Sequence, residues 1–305
     1  MTMYAKDDIR SQLAAAAPSR SVDPSTPVRP AQYLALYDMP PTAVSEPGSR
    51  TWLVRGQHLV LSWTEAVAGD RFARSAQPDE YAVLMYSGSA PVRVSADGGS
   101  AEVTQEAFVV VPPGDSVVEA LADGPVIRVF STLAPDLARA AANAAAYREP
   151  DPRCAPLVAW PDPVDGFRLR VYPLAEHPIE PGRFGRIFRT TNMMINFLAE
   201  EPTPRDPVHL SPHSHDDFEQ LSFGVKGEFV HHIRYPWGPD STRWRPDDHG
   251  RLGVPSLCVI PPPTVHTTQG VGDHQQLIDM FAPPRADFSA KTGWVRNADD
   301  YPTPA

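Results

Sequence analysis

Proline occupies 36 of the 305 positions, roughly twice its usual share. A helix interior rejects proline, because the residue lacks an amide hydrogen and its ring clashes with the preceding turn. Long uninterrupted helices are therefore excluded, and the chain reads as strands and turns. Only APDLARAAANAAAYREP, bounded by Pro135 and Pro150, has the alanine-rich composition of a helix.

From Arg50 to Thr132 the text consists of short β-rich runs separated by turn residues: RTWLVRGQHLVLSW, YAVLMYSG, PVRVSADGGSAEV, AFVVVPPG and PVIRVFSTL. ADGGS predicts a hairpin turn. A Pro-punctuated linker, DPRCAPLVAWPDPVDG, follows, and then strands return in FRLRVYPL, TNMMINFLA, FEQLSFG, GEFVHHIRYPW, PSLCVIPPP and QQLIDMFAPP. Strand and helix do not alternate as a parallel α/β sheet requires. The expectation is an all-β chain with a few short helices, in two units spanning 31–150 and 151–305. A flexible segment, 1–30, ending in the Ser/Pro-rich SRSVDPSTPVRP, precedes them.

Charge and cysteine content narrow the function classes. With 27 Lys+Arg against 37 Asp+Glu, a net charge of −10 and no basic run, nucleic acid is repelled rather than attracted. Cys154 and Cys258 are far apart and outside any CxxC spacing, which implies neither a disulfide framework nor a cysteine zinc site. No apolar stretch has membrane length, and the opening MTMYAKDDIRSQLAAAAPSR carries acidic residues where a signal peptide needs positive charge. The expected setting is the cytoplasm, with no membrane partner.

The two halves share a spaced skeleton. Glu80 is followed by Gly88, then Pro112, Pro113 and Gly114, then Phe130; Glu219 is followed by Gly227, then Pro261, Pro262 and Pro263, then Phe281. Ordered landmarks of this kind suggest duplication.

The second copy carries the chemistry. His213 and His215 in HSHDDFE stand at i and i+2, which on a strand places both imidazoles on one face about 7 Å apart. Glu219 follows four residues later, where a tight turn can return its carboxylate to the same point, and His266 arrives from a distant strand after IPPPTV. Three imidazoles and a carboxylate suit a first-row divalent metal and leave two of six positions for water, substrate or dioxygen. HSHDD also spells HxHxD, part of the metallo-β-lactamase signature, but Phe218 stands where that site needs histidine, and the αβ alternation is missing. An amidohydrolase barrel would carry its HxH on the first strand, far earlier than residue 213. Exposed loop histidines remain the plain alternative.

In these residues the second half resembles a cupin, a small jelly-roll barrel whose two motifs run roughly GxxxxxHxHxxx(x)ExxxxxxG and GxxxxxPxGxxHxxxN. Here the first reads His213, His215, Glu219 and Gly227, and the second reads Pro261, Pro263 and His266. The resemblance implies that His213, His215, Glu219 and His266 hold one divalent metal and carry the catalysis. The sequence departs from the pattern at the glycine before His213, at Pro263 in place of glycine, and at the final asparagine, near which stands Gln269. The same offsets in the first half fall on Arg74, Ala76 and Val117, so that copy keeps the skeleton and lacks the ligands. The whole resembles a bicupin: two tandem double-stranded β-helix (jelly-roll) barrels, one of them degenerate.

Further candidates surround this constellation. His231 shares a strand face with Phe229 and Ile233 and is the inward one of the pair His231–His232. The segment WGPDSTRWRPDDHG makes the second half about ten residues longer between its motifs and reads as a rim loop or a dimer contact. Arg285 is a candidate for binding a substrate carboxylate, with a surface ion pair as the alternative. Gln269 is a candidate outer partner of the metal, and Cys258 a small buried hydrophobe. The resemblance implies an Fe(II) dioxygenase acting on a small oxygenated or aromatic organic acid. Its alternatives are a non-redox isomerase, lyase or decarboxylase using Zn, Mn or Ni, or a metal-dependent binding module without turnover. It also implies a homodimer.

Overall fold

The structure, a computed structural model, describes residues 22, 23 and 25–304, so the expected flexible segment 1–30 lies mostly outside the described residues. The chain opens with β1 (Gln32–Ala35), β2 (Ala43–Val44), β3 (Arg50–Arg55), β4 (Leu59–Ala66), β5 (Arg71–Gln77) and β6 (Tyr81–Met85). Next come β7 (Val92–Ala96), β8 (Gly99–Val103), β9 (Ala107–Val111), β10 (Gly114–Ala120), β11 (Gly124–Ser131) and α1 (Pro135–Ala140). The second half adds β12 (Arg170–Pro173), β13 (Gly185–Arg189), β14 (Met194–Leu198), β15 (Gln220–Lys226) and β16 (Phe229–Arg234). It ends with β17 (Asp248–Leu252), β18 (Ser256–Ile260), β19 (Val265–Gly270), β20 (Gln276–Phe281) and α2 (Ala286–Ser289). Among the described residues no helix is long and apolar enough to cross a membrane.

These strands form four sheets in the orders β5-β10-β7-β8, β12-β9-β6-β11-β4-β3-β2, β1-β18-β15-β20-β14-β13 and β17-β16-β19. The first two enclose an apolar core containing Val83, Val94, Val109 and Val118, and the last two enclose one containing Ile233, Leu252, Cys258 and Ile260. Between the barrels lies a third core, where Leu61, Leu84 and Phe108 of the seven-stranded sheet meet Phe188, Phe223 and Met280 of the six-stranded one. Strand composition follows from this layering. YAVLM in β6, AFVVV in β9 and SLCVI in β18 are buried along their whole length, because one face meets the interior of its own barrel and the other meets the opposite barrel. VRVSA in β7 alternates buried and half-buried, its outer face meeting water. ADGGS makes the expected hairpin: Asp97 and Gly98, at φ 47 and 70, form a two-residue turn that pairs Ala96 with Gly99.

Two strands cross the division expected at residue 150. β1 pairs antiparallel with β18 in the second barrel, and β12 pairs antiparallel with β9 in the first. The helix expected over 134–150 is also interrupted. It leaves helical geometry at Ala141, whose ψ is 136, and resumes as a 3-10 turn over Ala144–Tyr147. The reason is Asn143, whose Oδ1 accepts from Arg55 N (2.9 Å) and whose Nδ2 donates to Arg55 O (2.8 Å). The second half repeats this arrangement, with Asn297 pairing both backbone groups of Arg189 (3.0 and 2.8 Å).

The shared glutamates complete the pseudo-symmetry. Glu80 Oε2 accepts from Thr191 N (3.1 Å) and Thr191 Oγ1 (3.0 Å), and its Oε1 accepts from Tyr301 Oη (2.8 Å). Glu219 Oε2 accepts from Gln57 N (2.5 Å), with Tyr147 Oη 3.4 Å from its Oε1. Each barrel thus receives the other's glutamate with a turn amide and a tyrosine hydroxyl. Gly56 makes the approach of Glu219 feasible, since a Cβ there would stand 2.9 Å from Glu219 Oε2 and 2.6 Å from a Leu221 methyl.

Burial pushes the Glu80 carboxyl above its ordinary 4.5, although its hydrogen bonds pull the other way. The folded state therefore keeps a proton that the unfolded state has lost, and this contribution to stability declines as pH rises above 4.5. Glu80→Gln keeps an acceptor for Thr191 and removes the titration. Denaturant unfolding from pH 5 to 8 is expected to give a flatter stability profile for the variant than for the parent, the difference approaching at most about 1.4 kcal/mol per pH unit.

Candidate metal centre

His213 and His266 are brought together by a short antiparallel bridge, with His213 N donating to His266 O (3.0 Å) and His266 N to His213 O (2.7 Å). His215 follows on the same side. The ring centroids lie 4.4 Å (His213–His266), 4.9 Å (His213–His215) and 5.1 Å (His215–His266) apart. One donor nitrogen from each ring falls within 4.8 Å of the others, a cluster that can hold a metal ion. His215 and His266 are buried and His213 is half-buried.

Backbone carbonyls set which nitrogen is available. His213 Nδ1 stands 2.9 Å from Ser211 O and His266 Nδ1 stands 3.1 Å from Thr264 O. A carbonyl only accepts, so both Nδ1 atoms carry the proton and Nε2 is the lone-pair nitrogen of each ring, the usual support for metal-binding imidazoles. Burial, reinforced by the Arg285 charge and the neighbouring imidazoles, holds His215 well below the usual histidine range; burial also takes His266 to about 4. All of these observations fit a divalent ion.

Glu219 is not part of this cluster. Its carboxylate is turned away to Gln57 and Tyr147, and burial pushes it up to about 7. The side chain that reaches the imidazoles is Gln220, one residue later: its Oε1 lies 3.0 Å from His215 Nε2 and 3.4 Å from His266 Nε2. The cause is strand alternation. Leu221 and Phe223 enter the core between the barrels, Glu219 has their parity, and Gln220 and Ser222 take the opposite face. Gln220 Nε2 donates to Ser222 Oγ (2.9 Å), and Ser222 Oγ donates to Asp279 Oδ1 (2.5 Å). None of Gln220, Ser222 and Asp279 was singled out from the sequence, although the alternation in FEQLSFGV carries the signal for the first two.

The remaining candidates divide. His231 is buried, with Nδ1 3.0 Å from Thr268 Oγ1, and burial holds it down at about 3; His266 pairs with Ile233 two residues along the same face. Gln269, an odd step from His266, lies on the other face of β19, its Oε1 3.3 Å from His232 Nε2 and its Nε2 donating to Arg205 O. Arg285 is committed to an ion pair with Asp287 and lies 3.9 Å from the Phe288 ring centroid and 5.1 Å from that of Phe218. Phe218 stacks on His215 at 4.5 Å and meets Phe281 edge-on at 5.4 Å, which gives the centre an aromatic wall. The long segment after β16 borders a cavity of about 520 Å³, with Trp237 stacked on Trp244 and with Asp216 and Pro263 on its lining, beside the histidine-bearing loops. Both cysteines are free and buried.

In the first barrel the counterpart of Gln220 is Tyr81, whose Oη lies 2.9 Å from Ser116 Oγ and whose ring stacks on Phe130 at 4.6 Å. A register shift between Gly114 and Ser116 turns Ser116 inward, so the counterpart of His266 is Ser116 and not Val117. Arg74, in place of His213, pairs with Asp136 (2.6 Å).

No protein-family model matches the chain, and no curated protein sequence does so. Solved structures do. Ylba from E. coli superposes with a TM-score of 0.54 at 12% identity, over 84% of this chain and 91% of that one. Lactobacillus farciminis oxalate decarboxylase, solved as a formate complex, gives 0.53 at 14% identity over 82% and 85%. AerE from Microcystis aeruginosa gives 0.50 at 9% identity over 77% and 93%. The chain has the cupin fold. Among the described residues of this two-barrel fold the imidazole cluster lies in the second barrel, and in the first the rings of Tyr81 and Phe130 stack at the equivalent place.

Ligand assignment can be read from metal content. In protein purified without a metal-binding tag, Glu219→Gln is expected to keep the metal of the parent. His213→Ala and His266→Ala are each expected to lose it by more than the roughly tenfold that an outer hydrogen-bond partner is worth. Elemental analysis of variants shown to be folded by circular dichroism makes the comparison.

Proposed function

We propose that this cupin is a metal-dependent enzyme acting on a small organic acid, with His213, His215 and His266 as nitrogen ligands and Gln220 Oε1 beside them. The observation that carries this reading is the convergence of three imidazoles, two of them with Nδ1 held by backbone carbonyls. When bound, a divalent metal supplies Lewis acidity toward a carboxylate or carbonyl oxygen. Three imidazoles and an amide oxygen are neutral ligands, so they would leave the charge of a bound cation unneutralised. Phe218 and Phe281 cover His215, and burial keeps His215 and His266 neutral at pH 7.

Of the two chemistries the resemblance implies, we favour the non-redox one, an isomerase, lyase or decarboxylase using Zn, Mn or Ni. The fold likeness to oxalate decarboxylases from Lactobacillus farciminis and Bacillus subtilis supports a carboxylic acid substrate. The Fe(II) dioxygenase is the second reading, favoured by the imidazole-rich donors and the aromatic wall. Elemental analysis followed by a panel of keto, hydroxy, dicarboxylic and aromatic acids separates them. Turnover without oxygen uptake in the Zn, Mn or Ni form supports the first reading, and oxygen consumption by the iron form overturns it in favour of the second. A metal-bearing protein that binds an acid without converting it would establish a binding module instead.

A further inference from the structure

The interior of the second barrel holds a row of polar groups whose donors and acceptors fit in only one sense. Asp279 and Ser222 are directly paired across β15 and β20, and Gln220 lies two residues from Ser222 on the same face. A carboxylate accepts and never donates, so Asp279 Oδ1, 2.5 Å from Ser222 Oγ, takes the single hydroxyl proton. Ser222 Oγ then has only lone pairs to offer Gln220, 2.9 Å away, and the Gln220 group facing it must be the NH2. The carbonyl end, Oε1, is thereby fixed toward His215 and His266.

We propose that Asp279, acting through Ser222, is a positioning residue that locks the Gln220 amide with its oxygen toward the imidazoles, making it the fourth protein ligand of the metal. A flipped amide would present N–H groups to the ion and set its oxygen against the Ser222 lone pairs. The inference deepens the metal-centre reading and rests on it. The lock is needed because an amide, unlike a carboxylate, has a ligating end and a repelling end.

That asymmetry provides the test. Asp279→Asn is nearly isosteric, but its amide donates to Ser222 Oγ, releases the hydroxyl to point at Gln220, and so favours the flipped amide. In a Gln220→Glu background both ends of the side chain accept, and reversing the relay has nothing to flip. Apparent Co(II) affinity, read from the visible absorption of the bound ion, is measured for the full chain and for Asp279→Asn, Gln220→Glu and the double variant, with folding checked by circular dichroism. The expected result is a roughly ten- to hundredfold loss for Asp279→Asn alone, and none when the same substitution is added to Gln220→Glu. Equal loss in both backgrounds would show Asp279 to be a general structural or charge partner and overturn the relay. Unchanged affinity in both Asp279→Asn and Ser222→Ala would overturn it as well, while leaving the metal site in place. A parent chain that binds no Co(II) would instead overturn the metal centre itself. Should Asp279→Asn fail to fold, Ser222→Ala cuts the relay at its middle: a loss recovered by Gln220→Glu supports the lock, and a loss not recovered overturns it.

Discussion

The two barrels press their largest sheets back to back, and every central strand therefore has one face committed to its neighbour. In the second barrel Leu221, Phe223, Leu257, Val259, Ile278 and Met280 meet the first barrel in a shared apolar core. Side chains alternate along a strand, so the residues between them have nowhere to point except the barrel interior. Gln220, Ser222, Cys258 and Asp279 are sorted inward by the apolar residues on either side. A slip of one residue in β15 would carry Gln220 into the greasy interface and Leu221 among the imidazoles. The chemistry of the candidate centre is thus anchored by an interface that contains none of its atoms.

The first barrel shows what the same scaffold becomes when a few inward positions change. Tyr81 stands for Gln220, Ser116 for His266 and Arg74 for His213, and the rings of Tyr81 and Phe130 close the space. What duplication preserved is the joint between the barrels: Glu80 and Glu219 each accept from a turn amide and a tyrosine of the other half, and Asn143 and Asn297 brace the strands beside them. In each half this glutamate joins one barrel to the other, a role that needs no histidines.

Much of this was legible in the sequence. Proline density and short β-branched runs pointed to an all-β chain, the repeated Glu, Gly, Pro and Phe landmarks to two related barrels, and His213, His215 and His266 to a cluster. Glu219 was read as the fourth member because it satisfied a spacing, yet Leu221, Phe223 and Val225 share its parity and mark its face as the apolar one. The same parity argument separates Gln269 from His266. Other features were not legible locally. The exchange of β1 and β12 depends on pairings made far along the chain, the inward turn of Ser116 on a register shift, and the break at Ala141 on Asn143 finding Arg55. Arg285 was readable as a cation, but the aspartate two residues on that claims it needed the turn into α2.

The exchanged strands bear on how such a molecule can change over generations. Because β1 borders β18 and β12 borders β9, each half owns part of the other's sheet, and each half's glutamate is satisfied only by the other's turn. The peptide connecting the halves is thus the least of the bonds between them. A duplicated gene ordinarily leaves one copy free to drift or be lost. Here, removing the first barrel would also remove an edge strand and a buried anchor of the second.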